Sequence, residues 1–225
     1  MTFSIAARDA ATDQFGIAVS SSSPAVAARC AHLRPGVGAV CSQNVTDPRL
    51  GAAILDRMER GAAAADALAR VVAATPLVGY RQLAAVDRRG GTAAYSGEGT
   101  LGTHATVEGV DCVAAGNLLA SPAVPAAMVA AFEGSAGHLA DRLVAAMRAA
   151  LAEGGEVGPV HSAGLVVVAQ VPWPVVDLRV DWSDDPVGDL AALWRLWRPQ
   201  MDAYVTRALD PTAAPSYGVP GDPDR

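Results

Sequence analysis

The sequence predicts an α+β fold, a four-layer αββα sandwich in which two antiparallel sheets stack between helix layers. Three observations predict it. Strand-like segments come in pairs joined by tight turns, which argues for antiparallel pairing. Helix-like segments also come in pairs, which argues that they lie as layers on sheet faces. The order along the chain is strands, two helices, strands, two helices, strands, one helix, with no long loop and no internal repeat.

Each element has its own reason. Residues 3–8 and 15–20 are short apolar runs on either side of a turn-like Ala11-Thr12-Asp13-Gln14, so they read as a hairpin. Residues 37–43 read as a third strand. The period then changes: Leu50, Ile54, Leu55 and Met58 fall at helical spacing over 48–60, with Asp47 as cap and Pro48 at the first position. Gly61 stops that helix, and 62–74 form a second one that ends before Thr75-Pro76. Residues 80–87 and 92–96 flank Arg88-Arg89-Gly90-Gly91 and read as another hairpin. Residues 107–115 are expected as one strand leading to Gly116-Asn117. Helices follow over 124–132 and 138–151, ended by Gly154-Gly155. Residues 163–171 read as a buried strand, with 175–181 as its partner. A last helix runs from Val187 to about Leu209, capped by Asp185-Pro186. The reading is one domain over 1–209, and a mobile tail rich in proline and glycine over 210–225.

Composition narrows the function. The chain has 225 residues, is 51% hydrophobic and has a mean hydropathy of +0.24, ample for a substantial core. A net charge of −6 and a pI near 5.1 give no electrostatic footprint for nucleic acid. All 17 basic residues are arginine, so no side chain can form a Schiff base and no P-loop lysine exists. Cys30, Cys41 and Cys112 have no metal or disulfide pattern, and His32, His104 and His138 have no ligand spacing with one another. No metal or other cofactor is expected. The start carries no signal peptide and no apolar run is long enough to span a membrane, so the expectation is a cytoplasmic protein without a membrane partner.

The chain opens Met1-Thr2 directly onto a strand. Aminopeptidases remove an initiator Met readily before a small residue such as Thr. Thr2 then carries a hydroxyl and a free α-amine on one residue. A hydroxyl needs a nearby base to attack a carbonyl. An α-amine, with a reference pKa near ~8, can serve around neutrality. From the dipeptide alone, Thr2 reads first as an ordinary second residue.

Thr2-Phe3-Ser4-Ile5-Ala6-Ala7-Arg8-Asp9, then Phe15-Gly16-Ile17-Ala18-Val19-Ser20, then Pro35-Gly36-Val37-Gly38-Ala39-Val40 together resemble a bacterial family, domain of unknown function 1028. Arg81-Gln82, Gly116-Asn117-Leu118-Leu119, Ser162-Ala163 and Val176-Asp177-Leu178-Arg179-Val180-Asp181 extend the likeness, which runs from Thr2 to about Trp197. That family is similar in fold to the N-terminal nucleophile (Ntn) hydrolases. The resemblance implies Thr2 as nucleophile and a small-molecule amide or related C–N bond as substrate. This chain departs from the family pattern at Glu156, in Gly154-Gly155-Glu156, where Asp is expected. It departs again at His161, where Gln or Arg is expected, and at Ser20 to Ser23, which replace an arginine and an aromatic segment.

Further candidates follow. Asn117 is either a turn residue or an amide that donates to a developing oxyanion. Arg8 offers positive potential for a substrate, and Asp9 either caps the turn with Thr12 or orients a base. One of Ser20 to Ser23, Ser20 foremost, lines the pocket if the first hairpin pairs as drawn. Gln43 ends an apolar strand as either a structural clasp or a substrate contact. His161 and Ser162 invite a serine-hydrolase reading, but adjacent residues on a strand point to opposite faces and no Gly-x-Ser-x-Gly surrounds Ser162. Asp177, Arg179 and Asp181 share a sheet face and read as an ion network. Trp182, Trp194 and Trp197 read as packing rather than a cofactor box, and suggest a homo-oligomer. The alternative to a hydrolase is a non-catalytic binding or structural protein on the same scaffold.

Overall fold

The computed structural model describes residues 1–221. Among them are seven α-helices and two antiparallel sheets. The first hairpin forms as its apolar alternation requires: β1 (Thr2–Asp9) pairs with β2 (Gln14–Ser21). Asp9 does cap the turn, accepting from the Ala11 amide at 2.9 Å rather than meeting Thr12. A short α1 (Ala27–Cys30) and an edge strand β3 (Ala31–Arg34) follow, then β4 (Gly38–Asn44). Both short elements precede the strand expected at 37–43. Four residues are too few for a period to be read from sequence.

Helices α2 (Pro48–Glu59) and α3 (Ala64–Ala74) match expectation, and Asp47 caps α2 by accepting from the Arg49 amide at 3.1 Å. β5 (Arg81–Asp87) and β6 (Thr92–Ser96) form the expected hairpin, closed by Gly90 with φ +81°. The single strand expected at 107–115 is instead a hairpin, β7 (Ala105–Gly109) and β8 (Cys112–Asn117). Asp111 turns the chain with φ +57°, a left-handed conformation that Asp tolerates and an apolar-run reading overlooks.

α4 (Val124–Glu133) and α5 (Leu139–Ala152) precede β9 (Ser162–Val168) and β10 (Pro174–Val180). The last expected helix is two: α6 (Pro186–Trp197) and α7 (Met201–Leu209). Pro199 lies between them and cannot continue a helix. The expected tail over 210–225 is exposed where described except at the half-buried Ala214, and Arg207 donates to the Pro215 carbonyl at 2.9 Å and stacks on Tyr217; residues 222–225 lie outside the described residues.

One sheet runs β10-β9-β2-β1-β8-β7 and the other β3-β4-β5-β6. Three apolar clusters account for the core. Phe3, Ile5, Cys112 and Leu165, on one face of the six-stranded sheet, pack with Phe132, Leu143, Met147 and Trp194 of α4 to α6. The opposite face (Ala6, Ile17, Val19, Val113) packs against Ala39, Cys41, Ala84 and Val86 of the four-stranded sheet. The far face of that second sheet packs with Ile54, Leu55, Leu68 and Val71 of α2 and α3. Trp194 and Trp197 are packing residues as expected; Trp194 Nε1 donates to Asp141 at 2.8 Å and Trp197 Nε1 to the Val175 carbonyl at 2.9 Å. Arg179 pairs with Asp181 on an exposed strand. Among the described residues no helix is long and apolar enough to cross a membrane.

Candidate active site

The side chains that line the space between the sheets change character along five strands at once. In β1 the inward row reads Ala6, Ser4, Thr2; in β2, Ile17, Val19, Ser21; in β4, Ala39, Cys41, Gln43; in β5, Val86, Ala84, Gln82; in β8, Val113, Ala115, Asn117. Each row is apolar first and polar last. Strand pairing brings the polar ends together, since Thr2 stands opposite Asn117 and Gln43 opposite Gln82. Period-two alternation is the cause: every second residue faces inward, and each strand ends its inward row on a hydroxyl or amide.

These groups hydrogen-bond across the gap. Ser4 Oγ donates to Gln43 Oε1 at 2.6 Å, Gln43 Nε2 to Gln82 Oε1 at 2.8 Å, and Asn117 Nδ2 to Gln82 Oε1 at 3.1 Å. Gln82 Nε2 donates to the Gly116 carbonyl and to Ser96 Oγ, both at 3.0 Å. The Gly116 carbonyl can only accept, so it fixes which way the Gln82 amide points. That orientation in turn makes Gln43 and Asn117 donors. One acceptor is left over: Asn117 Oδ1 is buried and without a partner among the described residues.

Thr2 is buried, 5% exposed, at the rim of this layer. Its hydroxyl and that of Ser21 both donate to the Met1 carbonyl, and Ser21 also meets Ser23 Oγ at 2.8 Å. The six-stranded sheet ends here on Ser162, Ser21, Thr2 and Asn117. The chain after α5 closes that end: Glu156 bridges Leu119, Val157 N donates to the Leu118 carbonyl at 3.0 Å and Ala120 N to the Gly155 carbonyl at 3.0 Å. The Glu156 side chain turns inward. It is 4% exposed, its two carboxylate oxygens accept the Ser22 amide, at 3.2 Å each, and burial pushes its pKa up to about 7 against the pull of the Ser22 hydroxyl and amide and of the positive chain terminus.

The expected site residues divide. Thr2, Asn117 and Gln43 come together. Gln43 is a clasp between the sheets with both ends of its amide bonded. Ser20 faces the other way, its hydroxyl donating to the Ser162 carbonyl at 2.9 Å; the pleat puts Ser21 in its place. Arg8 lies at the opposite end of β1, paired with Asp13 at 2.8 Å and Asp111 at 3.2 Å, and lines a separate surface pocket of about 430 Å3 with Asp9, Glu133 and Arg142. Six residues of strand, roughly 20 Å, separate it from Thr2. His161 and Ser162 do not bond each other: Ser162 Oγ donates to the Ser23 carbonyl at 2.6 Å, and His161 stacks on Trp182 at 4.3 Å.

Sequence reasoning passed over Gln82 and Glu156 as site residues and put Ser20 ahead of Ser21 within the serine run. Counting back from the Asp9–Gln14 pair would have placed Ser21 opposite Thr2. Gln82 carried the same signal as Gln43, an amide ending an apolar row. Glu156, between Gly155 and Val157, carried no periodic signal and stood out only as a departure from the family pattern. Burial raises the thiol pKa of Cys41 and Cys112 to about 12 and moves that of Cys30 upward, which disfavours a thiolate nucleophile at any of them. No group of three or more metal-binding side chains occurs among the described residues.

Comparison with known proteins agrees with the sequence pattern. The crystal structure of protein SPO2555 from Silicibacter pomeroyi, of family DUF1028, is similar to this chain at 32% identity and a TM-score of 0.80, over 86% of this chain and 88% of that one. Anbu, the ancestral β-subunit from Yersinia bercovieri, aligns at 11% identity with a TM-score of 0.40, over 96% of this chain and 100% of that one. A search of the curated proteins finds no match. Residues 2–190 match the family described as "Family of unknown function (DUF1028)", and the chain belongs to that family.

Proposed function

We propose that the chain is an Ntn-type hydrolase that cleaves a small-molecule amide or related C–N bond, with Thr2 as nucleophile after loss of Met1. The observation that carries this reading is the place of Thr2: its hydroxyl lies at the polar end of the space between two sheets, beside Ser21 and opposite Asn117. Helices packed on the outer faces of both sheets support a four-layer αββα sandwich of the Ntn kind.

Excision of Met1 removes the carbonyl that Ser21 and Thr2 now share and leaves an amine in reach of Ser21. The amine takes the Thr2 hydroxyl proton, Oγ1 attacks the substrate carbonyl, and the leaving amine departs with a proton. Water then resolves the ester. Asn117 Nδ2 uses one N–H on Gln82; its second hydrogen and backbone amides are the donors for the oxyanion.

The test has two parts. Intact mass of untagged protein reads whether Met1 is gone. Acyl-p-nitroanilides and lactams are then screened against wild type and Thr2→Ala. Turnover that vanishes in Thr2→Ala while the unfolding curve persists supports the reading. Retained Met1, or equal turnover in the variant, overturns it. The bonded clasp of Ser4, Gln43 and Gln82 favours a second reading, a non-catalytic binding protein whose polar layer holds the sheets in register.

A further inference from the structure

We propose that Glu156 is the counter-ion of the terminal amine: its carboxylate binds the α-ammonium of Thr2 once Met1 is removed and exchanges a proton with it. This deepens the hydrolase reading and rests on it for the identity of the terminus. Glu156 is a positioning residue, since it acts on Thr2 and not on substrate.

Geometry carries the inference. The β1–β2 register runs Phe3 with Ser20. Carried one and two residues further, it sets Thr2 opposite Ser21 and Met1 opposite Ser22. Ser22 is the residue whose amide holds the Glu156 carboxylate, at 3.2 Å. Removing Met1 therefore vacates the position next to the carboxylate and puts a new cation one residue away. Among the described residues no arginine acts on Glu156; the chain terminus and the nearby His161 favour its charged form, and the His161 amide donates to the Ser21 carbonyl at 2.8 Å. A buried carboxylate held by one serine, through its amide and its hydroxyl, is poorly compensated. An ammonium at this place supplies what is missing, with Ser21 Oγ as a further partner.

The absence of lysine makes the test clean: the terminal amine is the only primary amine in the protein. Full-length chain starting at Thr2 is released from an N-terminal fusion, and its reaction with acetic anhydride is followed by intact mass from pH 6 to 9. Wild type, Glu156→Gln and Glu156→Asp are compared, with thermal unfolding as a check on the fold. An opposite charge at close range raises an amine's pKa by about one unit or more, so Glu156→Gln labels about tenfold faster than wild type near neutrality. Glu156→Asp stays close to wild type. A labelling profile unmoved by Glu156→Gln overturns the inference. No substrate is needed, so the outcomes separate: a profile that moves in a protein that cleaves no amide keeps the counter-ion and discards the hydrolase. Turnover with an unmoved profile does the reverse.

Discussion

Asn117 Nδ2 donates to Gln82 Oε1 at 3.1 Å, from a strand of the six-stranded sheet to a strand of the four-stranded one. Gln82 is the hub of the polar layer, because Gln43, Ser96 and the Gly116 carbonyl meet the same side chain. Gln82→Leu strands several buried partners at once, each costing about 1–3 kcal/mol. The expected loss is about 3 kcal/mol or more, read by urea denaturation. A loss below about 1 kcal/mol would show that the layer relaxes around the vacancy.

Glu156 predicts a pH dependence of stability. Its pKa lies near 7 in the fold against 4.5 ordinarily. For a carboxyl raised in this way, the contribution is full below the ordinary value and is lost as pH rises through about 7. In the chain that keeps Met1, Glu156→Gln matches wild type at pH 5 and exceeds it above pH 8 by about 2 kcal/mol, after allowance for partial solvent access. Parallel melting curves across that range would contradict a buried, uncompensated carboxylate.

Gly51 on α2 faces His32, and an added Cβ would overlap the imidazole ring. His32 is itself half-buried, and this desolvation holds its pKa below the usual histidine value. Gly51→Ala is expected to cost about 1–3 kcal/mol through overpacking. Gly158→Ala is the control, since nothing lies within 4 Å of the new carbon. Chemical denaturation of the two variants side by side decides the point.

The family match ends at residue 190, within α6. Trp194, four residues on, is buried against the helices and bonded to Asp141. A chain cut after residue 190 exposes that cluster and loses about 3–5 kcal/mol, the usual toll of deleting a buried Trp. Circular dichroism melts of the truncated and full chains measure it.

The elements with a sustained period were legible in sequence. α2 could be read because Asp47, Pro48 and four apolar residues at helical spacing agree. β3 was hidden because four residues cannot show a period, and β7 and β8 were fused because Asp111 turns the chain without a glycine. The last helix was drawn through Pro199, a breaker read too lightly. In the site, Thr2 and Asn117 could be found from residue type and place. Ser20 was chosen over Ser21 because a one-residue error in strand parity reverses the face. Glu156 stood out in sequence only as a departure from the family pattern; its burial comes from tertiary closure, which no period in the chain announces.

The order of strands in the larger sheet also sets an order in time. β1 is flanked by β2 and β8, and the end near Thr2 is closed by residues around Glu156. At about 5–20 residues per second, the ribosome delivers that segment roughly ten seconds or more after the first residues emerge. Through most of that interval β1 has only β2 beside it, and its Thr2 end stays uncovered. Once the sheet closes, the Met1 carbonyl is held by Ser21 and Thr2. On the proposed reading, the Met1–Thr2 bond is freer on the nascent chain than in the closed sheet, and trimming competes with folding.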